Sequence, residues 1–165
     1  MVIDRKKLNL LLLTNLLVFS NCSLFVDTIK LEVPNKYVGW CYLIPVNDVT
    51  KASNITDGKY QADKNGIVHI PTLVFDTKKD YIVKVFDNKI DISESMRYTG
   101  SVYRTKSIDS SKYELISFYL PSLNERSIEN GTQYWRDKMY QYKKESIEKF
   151  DSLLRVGKIV YDTPN

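Results

Sequence analysis

Histidine is nearly absent from this chain. His69 is its only one, and the cysteines are two, Cys22 and Cys41, in 165 residues. A metal centre built on imidazoles or clustered thiolates needs more ligands than that, and a disulfide scaffold needs more cysteines. Six glycines and five prolines are too few for a collagenous or low-complexity chain. Alanine is confined to Ala52 and Ala62, so no A-x-A cleavage site precedes Cys22. Missing too is an apolar run of the roughly 20 residues that a membrane-spanning helix requires. What the chain has is lysine (18, against 6 arginines), twelve tyrosines, and many isoleucines and asparagines. Codons for these residues are AT-rich, so the skew reads first as genome composition. The length suits one ordinary domain.

Residues 1–21 are laid out as a secretory signal. Arg5, Lys6 and Lys7 form a positive start, and Leu8 to Phe19 is a 12-residue apolar run interrupted by Asn9, Thr14 and Asn15. Val18-Phe19-Ser20-Asn21-Cys22 then resembles a bacterial lipobox, which implies diacylglyceryl transfer to the Cys22 thiol, cleavage before it, and acylation of the new amine, as with palmitate. Phe19 and Asn21 depart from the strict pattern and are similar to the relaxed lipoboxes of Bacteroidota. The alternative is an unmodified cysteine near an ordinary cleavage site. Acyl chains add ~0.8 kcal/mol per buried CH₂, so two or three of them anchor a protein stably. Removing residues 1–21 leaves 21 Lys+Arg against 19 Asp+Glu, a net charge of +2. Such a balance gives no footing for nucleic-acid binding, and no basic stripe restores one. Residues 22–27 form a short tether of roughly 20 Å at ~3.3–3.6 Å per residue, which holds the domain close to a bilayer.

From residue 28 to 125 the pattern predicts strands. Ile29 to Val33 alternates apolar and polar, as a half-buried strand does. Val38 to Ile44 is apolar on both faces, as a central strand covered on both sides would be, and Pro45 ends it or marks a bulge. Asn65-Gly66 predicts a hairpin between Tyr60–Gln61 and Gly66–Pro71, and Asp87-Asn88 predicts another between Asp80–Phe86 and Lys89–Ile92. Two more strands are expected over Met96–Thr105 and Lys112–Leu120. Such spacing argues for an antiparallel β-sandwich or open barrel. Between Thr132 and Val156 the period changes. Trp135, Met139, Tyr142, Ile147, Phe150, Leu153 and Leu154 fall on one helical face, with Asn130-Gly131-Thr132 as a start and Gly157 as a stop. The fold class expected is therefore mainly β, with one long C-terminal amphipathic helix packed on the sheet and a short last strand at Lys158–Tyr161, within residues 126–165.

Catalytic chemistry finds little support. His69 has no Ser or Cys elbow to serve, so a surface or hydrogen-bonded strand histidine is expected. Asp63-Lys64-Asn65-Gly66 mimics the middle of a calcium loop, but Gln61 and Thr72 stand where its first and last ligands belong. Paired carboxylates can form in space, yet Asp57, Asp63, Asp76, Asp80, Asp87 and Asp91 lie mostly at strand ends, where turn chemistry accounts for them. Cys41 is expected to be a buried inert thiol. No catalytic, cofactor or metal residue is assigned; the one site expected is Cys22. Tyrosines left exposed would suit a protein partner.

Pro34-Asn35-Lys36-Tyr37-Val38-Gly39-Trp40, followed by Tyr60 and Asn65-Gly66-Ile67, resembles an uncharacterised domain of secreted and lipid-anchored bacterial proteins with a P-x-x-Y-x-G-W strand. It covers roughly residues 29–75, and a weaker likeness links the hairpin to transthyretin-type and carboxypeptidase-regulatory sandwiches. The resemblance implies a non-catalytic module. The function expected is a lipid-anchored envelope protein that binds or scaffolds, on the periplasmic face of an outer membrane because no acidic run follows Cys22. An envelope hydrolase using paired Asp/Glu and a secreted factor without lipid are the alternatives.

Overall fold

A computed structural model describes residues 26–76, 79–104 and 112–161, without the side chains of 100–104 and 112. The signal segment and Cys22 lie outside the described residues. Among the described residues nine strands form two sheets: β1 (Asp27–Val33), β2 (Gly39–Val46), β3 (Ile55–Thr56), β4 (Lys59–Gln61), β5 (Ile67–Pro71), β6 (Tyr81–Asp87), β7 (Ile90–Asp91), β8 (Arg97–Arg104) and β9 (Lys112–Leu120). One sheet runs β3-β4-β1-β6-β7 and the other β5-β2-β9-β8. A short helix α1 (Leu123–Arg126) and a 23-residue helix α2 (Gln133–Arg155) follow. The molecule is thus a β-sandwich with a helix on one outer face, and neither sheet closes into a barrel.

Three layers follow from the strand patterns. On β1, Ile29, Leu31 and Val33 turn inward while Lys30 stays exposed. They meet Cys41, Leu43, Val68, Ile70, Phe118 and Leu120 from the second sheet, with Val85 and Phe75, and so form the inter-sheet core. The alternate residues of the second sheet, Trp40, Tyr42, Ile44, Ile67, Tyr113 and Leu115, point the other way, against Trp135, Tyr142 and Phe150 of α2. This is why β2 reads as apolar on both faces: it lies in the middle layer.

Pairing is mixed where sequence spacing suggested antiparallel strands throughout. β1 runs parallel to β4 and β6, and β2 runs parallel to β5, while β2–β9 and β8–β9 are antiparallel. The reason lies in the connections. From β1 to β2, from β4 to β5 and from β5 to β6 the chain crosses between sheets. These three crossings reverse the chain, so β6 returns parallel to β4 and β1, and β5 parallel to β2; the crossing from β2 to β3 keeps its direction, and the β3–β4 hairpin then turns β4 parallel to β1. The Asn65-Gly66 segment is therefore a turn but not a hairpin. It carries the chain from β4 in one sheet to β5 in the other, and only Gly66 takes a positive φ (80°). The Asn88-Lys89 turn, with φ of 49° and 68°, does close the expected hairpin between β6 and β7.

Pro45 neither ends β2 nor bulges it; it pairs with Ile70 inside the strand. The Tyr42 N–H donates to Gly66, and Val46 accepts from Thr72, so even-numbered residues of β2 bond toward β5. Backbone groups alternate sides along a strand, which turns the nitrogen of Pro45 the other way. On that side pairing with β9 has already stopped, at Leu43 opposite Ile116. Its missing N–H therefore costs no ladder bond.

α2 starts after Thr132 and ends as expected at Gly157 (φ 66°). Gly157 N–H donates to Leu154 and Lys158 N–H to Leu153, the paired bonds of a Schellman cap. The buried stripe is Trp135, Tyr142, Ser146 and Phe150. Met139, expected within it, is 44% exposed, whereas Ser146 is fully covered. Tyr42 explains the serine, because its hydroxyl reaches across the interface to the Ser146 carbonyl at 2.9 Å, and a large side chain would block that approach. Lys158 to Tyr161 form no strand. Ile159 is buried under the same face, and the Tyr161 ring packs edge-on against Tyr113 at 4.9 Å.

Candidate functional site

The predicted lipidation site, Cys22, precedes the described residues, which begin with Val26 just ahead of β1. The other sequence candidates are placed as follows. Cys41 is fully buried, and that burial pushes its thiol well above the usual range, which leaves it unreactive. His69 sits on the helix side of β5, where its Nε2 accepts the Val160 N–H at 3.3 Å. Its own backbone N–H is held by the Ser53 hydroxyl at 2.9 Å. The Asp63 carboxylate closes its turn: Oδ1 accepts from Asn65 N–H and Ile67 N–H, each at 2.8 Å. Asp87 accepts the Lys36 N–H at 3.2 Å, and Asp91 accepts the Ser93 N–H at 2.9 Å. These aspartates do the work of turns.

Two polar clusters hold the helix to the sandwich, and both join residues far apart in sequence. The first unites the motif of the second layer. The Tyr37 hydroxyl lies 2.7 Å from the Trp40 carbonyl and 2.9 Å from that of Asn65, bridging the start of β2 to the turn before β5. Gly66 is required here. A Cβ at this position would lie 2.3 Å from Tyr37 Oη and 2.4 Å from the Trp40 carbonyl oxygen. Lys149 of α2 completes the group, its ammonium 3.2 Å from Tyr37 Oη, 3.3 Å from Trp40 O and 3.0 Å from Asn65 O. Three N–H donors thus meet three oxygens. Desolvation lowers the Lys149 pKa from its ordinary value, and the Tyr37 phenol is pushed up by the same burial. Tyr37, Trp40, Asn65 and Gly66 are therefore parts of one structural latch. Lys149 is the member that sequence patterning leaves unseen.

The second cluster lies at the other end of α2. Glu125 accepts from the Ser122 backbone N–H and hydroxyl at 3.1 and 2.8 Å, a capping-box spacing legible in Ser122-Leu123-Asn124-Glu125. It also accepts from Tyr134 at 2.8 Å and Lys138 at 3.2 Å. Burial raises its pKa, but these hydrogen bonds outweigh that and hold the carboxyl down at about 2. Lys138 is pushed up in turn, chiefly by its bond to Tyr134. Its ammonium lies 4.4 Å from the Tyr134 ring centre and 5.5 Å from that of Tyr142. Tyr98 adopts a left-handed φ of 51° at an irregularity of β8. Such a bulge re-aims a side chain. Here the ring stacks on Tyr142 at 5.3 Å and its hydroxyl donates to the Trp135 carbonyl. Arg97, 5% exposed, lies 5.2 Å from the Trp135 ring centre and donates to the carbonyls of Glu94 and Met96 at 2.8 and 3.0 Å.

Most tyrosines are consumed by this packing. Tyr42, Tyr113 and Tyr142 are buried, Tyr134 is half-buried, and Tyr140, at 79% exposure, is the one that stands out on α2. A tyrosine-mediated partner surface would thus centre on Tyr140, beside Met139.

No family model and no curated protein matches the chain. Among solved structures, a chain described as "Putative Lipoprotein from Bacillus anthracis" is similar at a TM-score of 0.36 and 13% identity, over 75% of this chain and 95% of that one.

Proposed function

We propose that this protein is a lipid-anchored, non-catalytic domain of a bacterial cell envelope, held by acyl chains on Cys22, with a binding or scaffolding role on the periplasmic side of the outer membrane. The observation that carries the reading is the order of the N-terminal segment: Arg5-Lys6-Lys7, a 12-residue apolar run, then Cys22 only five residues before β1 opens at Asp27. No helix among the described residues is long and apolar enough to cross a membrane. The carboxylates support the non-catalytic half. A glycan hydrolase needs one carboxyl held protonated, with a raised pKa. Among the described residues, each carboxylate with a clear shift is lowered: Glu32, where hydrogen bonds from Lys59 and Lys89 outweigh burial; Asp48 and Asp91, bonded to Thr50 and Ser93 hydroxyls; and Glu125. Those groups stabilise structure in the ionised form and are poor proton donors near neutral pH.

The test is Cys22→Ser. The variant is expected as an uncleaved precursor or in the soluble fraction. Membrane retention at unchanged mature mass would contradict the anchor. An unacylated wild-type protein recovered outside the cell would favour the secreted-factor alternative.

A further inference from the structure

We infer that the end of the sandwich nearest the anchor is itself a membrane-contact surface, with the Leu73–Val74 turn resting in the bilayer that holds the acyl chains. The inference builds on the lipid-anchor reading and adds an orientation to it. Its geometric basis is that one end of the molecule collects the start of β1 and the ends of β2 and β5. Asp27 lies opposite Tyr81 in the parallel β1–β6 pair, and Val46 lies opposite Pro71 in the parallel β2–β5 pair. The turn after β5 ties the two sheets together here. Asp76 N–H donates to Tyr81 Oη at 2.7 Å, and the buried Phe75 ring packs on Tyr81 at 5.3 Å.

That turn is well held, which makes its outward residues informative. Thr72 N–H donates to Val46, while Val74 and Phe75 N–H groups both donate to Pro71. Thr72 Oγ1 lies 3.2 Å from Asn47 Oδ1, pinning the turn to the end of β2. Held so, Leu73 is 93% exposed, the most exposed large apolar side chain among the described residues, and Val74 is 49% exposed. Val49, in the turn just past β2, and Val26, just before β1, are 59% and 38% exposed. A scattered exposed leucine needs no explanation, but four apolar residues gathered at one end do. The occupant follows from the chain outside the described residues. From Cys22 to Val26 is four residues, a reach of at most ~14 Å even when fully extended. Acyl chains on Cys22 therefore bring a bilayer to this end and to no other.

Charge defines the kind of contact. Among the described residues the exposed ionisable groups here are Asp27, Asp48 and Asp80 with Lys51 and Lys79, and the sequence adds Lys78 between Asp76 and Lys79, so the balance is near neutral. The surface offers no attraction to anionic headgroups, so the contact is apolar, independent of anionic lipid and insensitive to salt.

The experiment uses the full chain, expressed and processed in a bacterial host, purified from membranes and reconstituted into phosphatidylcholine vesicles with and without phosphatidylglycerol. An environment-sensitive dye is attached at Leu73→Cys or, as the control, at Ile90→Cys. Ile90 is 66% exposed at the β6–β7 hairpin, the opposite end of β6 from Tyr81. Cys41 is buried and does not compete for label. Dye at position 73 is expected to shift to the blue and be quenched several-fold more than dye at position 90 by lipids carrying a quencher within the bilayer, equally in both vesicle types and at high salt. Equal quenching at the two positions, or quenching at 73 only with phosphatidylglycerol, overturns the inference while the acyl chains, measured by mass, leave the anchor standing. A mass without acyl chains removes the anchor and this inference together.

Discussion

Gly66 is the position where the smallest change should do the most harm. An alanine there must accept a left-handed φ, costing about 1–2 kcal/mol, and push aside a backbone carbonyl and the Tyr37 hydroxyl, costing about 1–3 more. Gly66→Ala should therefore lose about 2–5 kcal/mol in urea denaturation; a loss below 1 would mean that the latch is loose. Tyr37→Phe keeps the ring and removes the hydroxyl, leaving Lys149 to serve both carbonyls, so about 0.5–1.5 kcal/mol is expected. Glu125 sets a pH dependence of defined sign. Its pKa in the folded protein, about 2, lies below the ordinary 4.5. Its contribution is then fully present above about pH 4.5 and is lost as pH falls toward 2. Thermal melts of Glu125→Gln should show a shallower loss of stability across that window than the unsubstituted protein, and parallel curves would contradict the role given to this carboxylate.

At the scale of elements, α2 is a layer of the fold. Phe150 is fully buried, its ring 5.7 Å from Tyr42 and 5.4 Å from Tyr113. Phe150→Ala should cost about 3–5 kcal/mol. Truncation before Asn130 should unfold or aggregate the sandwich by baring Trp40, Tyr42, Ile44 and Leu115; an unchanged melting temperature would show instead that the helix is a detachable arm. Alternation and helical period made these elements legible. β1, the doubly apolar β2, the β6–β7 hairpin, α2 and its glycine stop all follow from local pattern. Strand partners did not, because Asn65-Gly66 specifies a reversal and says nothing about which sheet receives the returning strand. Nor did Pro45, whose tolerance depends on where the β2–β9 pairing stops. Lys149 and Tyr37 are 112 residues apart, and no periodicity links them. Met139 and Ser146 trade the places that hydrophobicity assigns because a tyrosine hydroxyl, reaching from the sheet, decides which helix position must be small.

The described residues form a three-layer domain, two sheets and a helix, which the proposed anchor would stand on a membrane by its N-terminal end. The sandwich carries a layer of helix on one outer face, and β1 opens at the end where Leu73 and Val74 are exposed. The Lys149 and Glu125 clusters lock the helix to the sandwich. Intact mass spectrometry of the mature protein extracted from membranes decides whether the anchor exists. A lipid anchor on Cys22 gives a chain beginning at Cys22 with the added mass of a diacylglyceryl group, with or without a third acyl chain. A mature chain that carries no lipid, or one that begins elsewhere than Cys22, would contradict it.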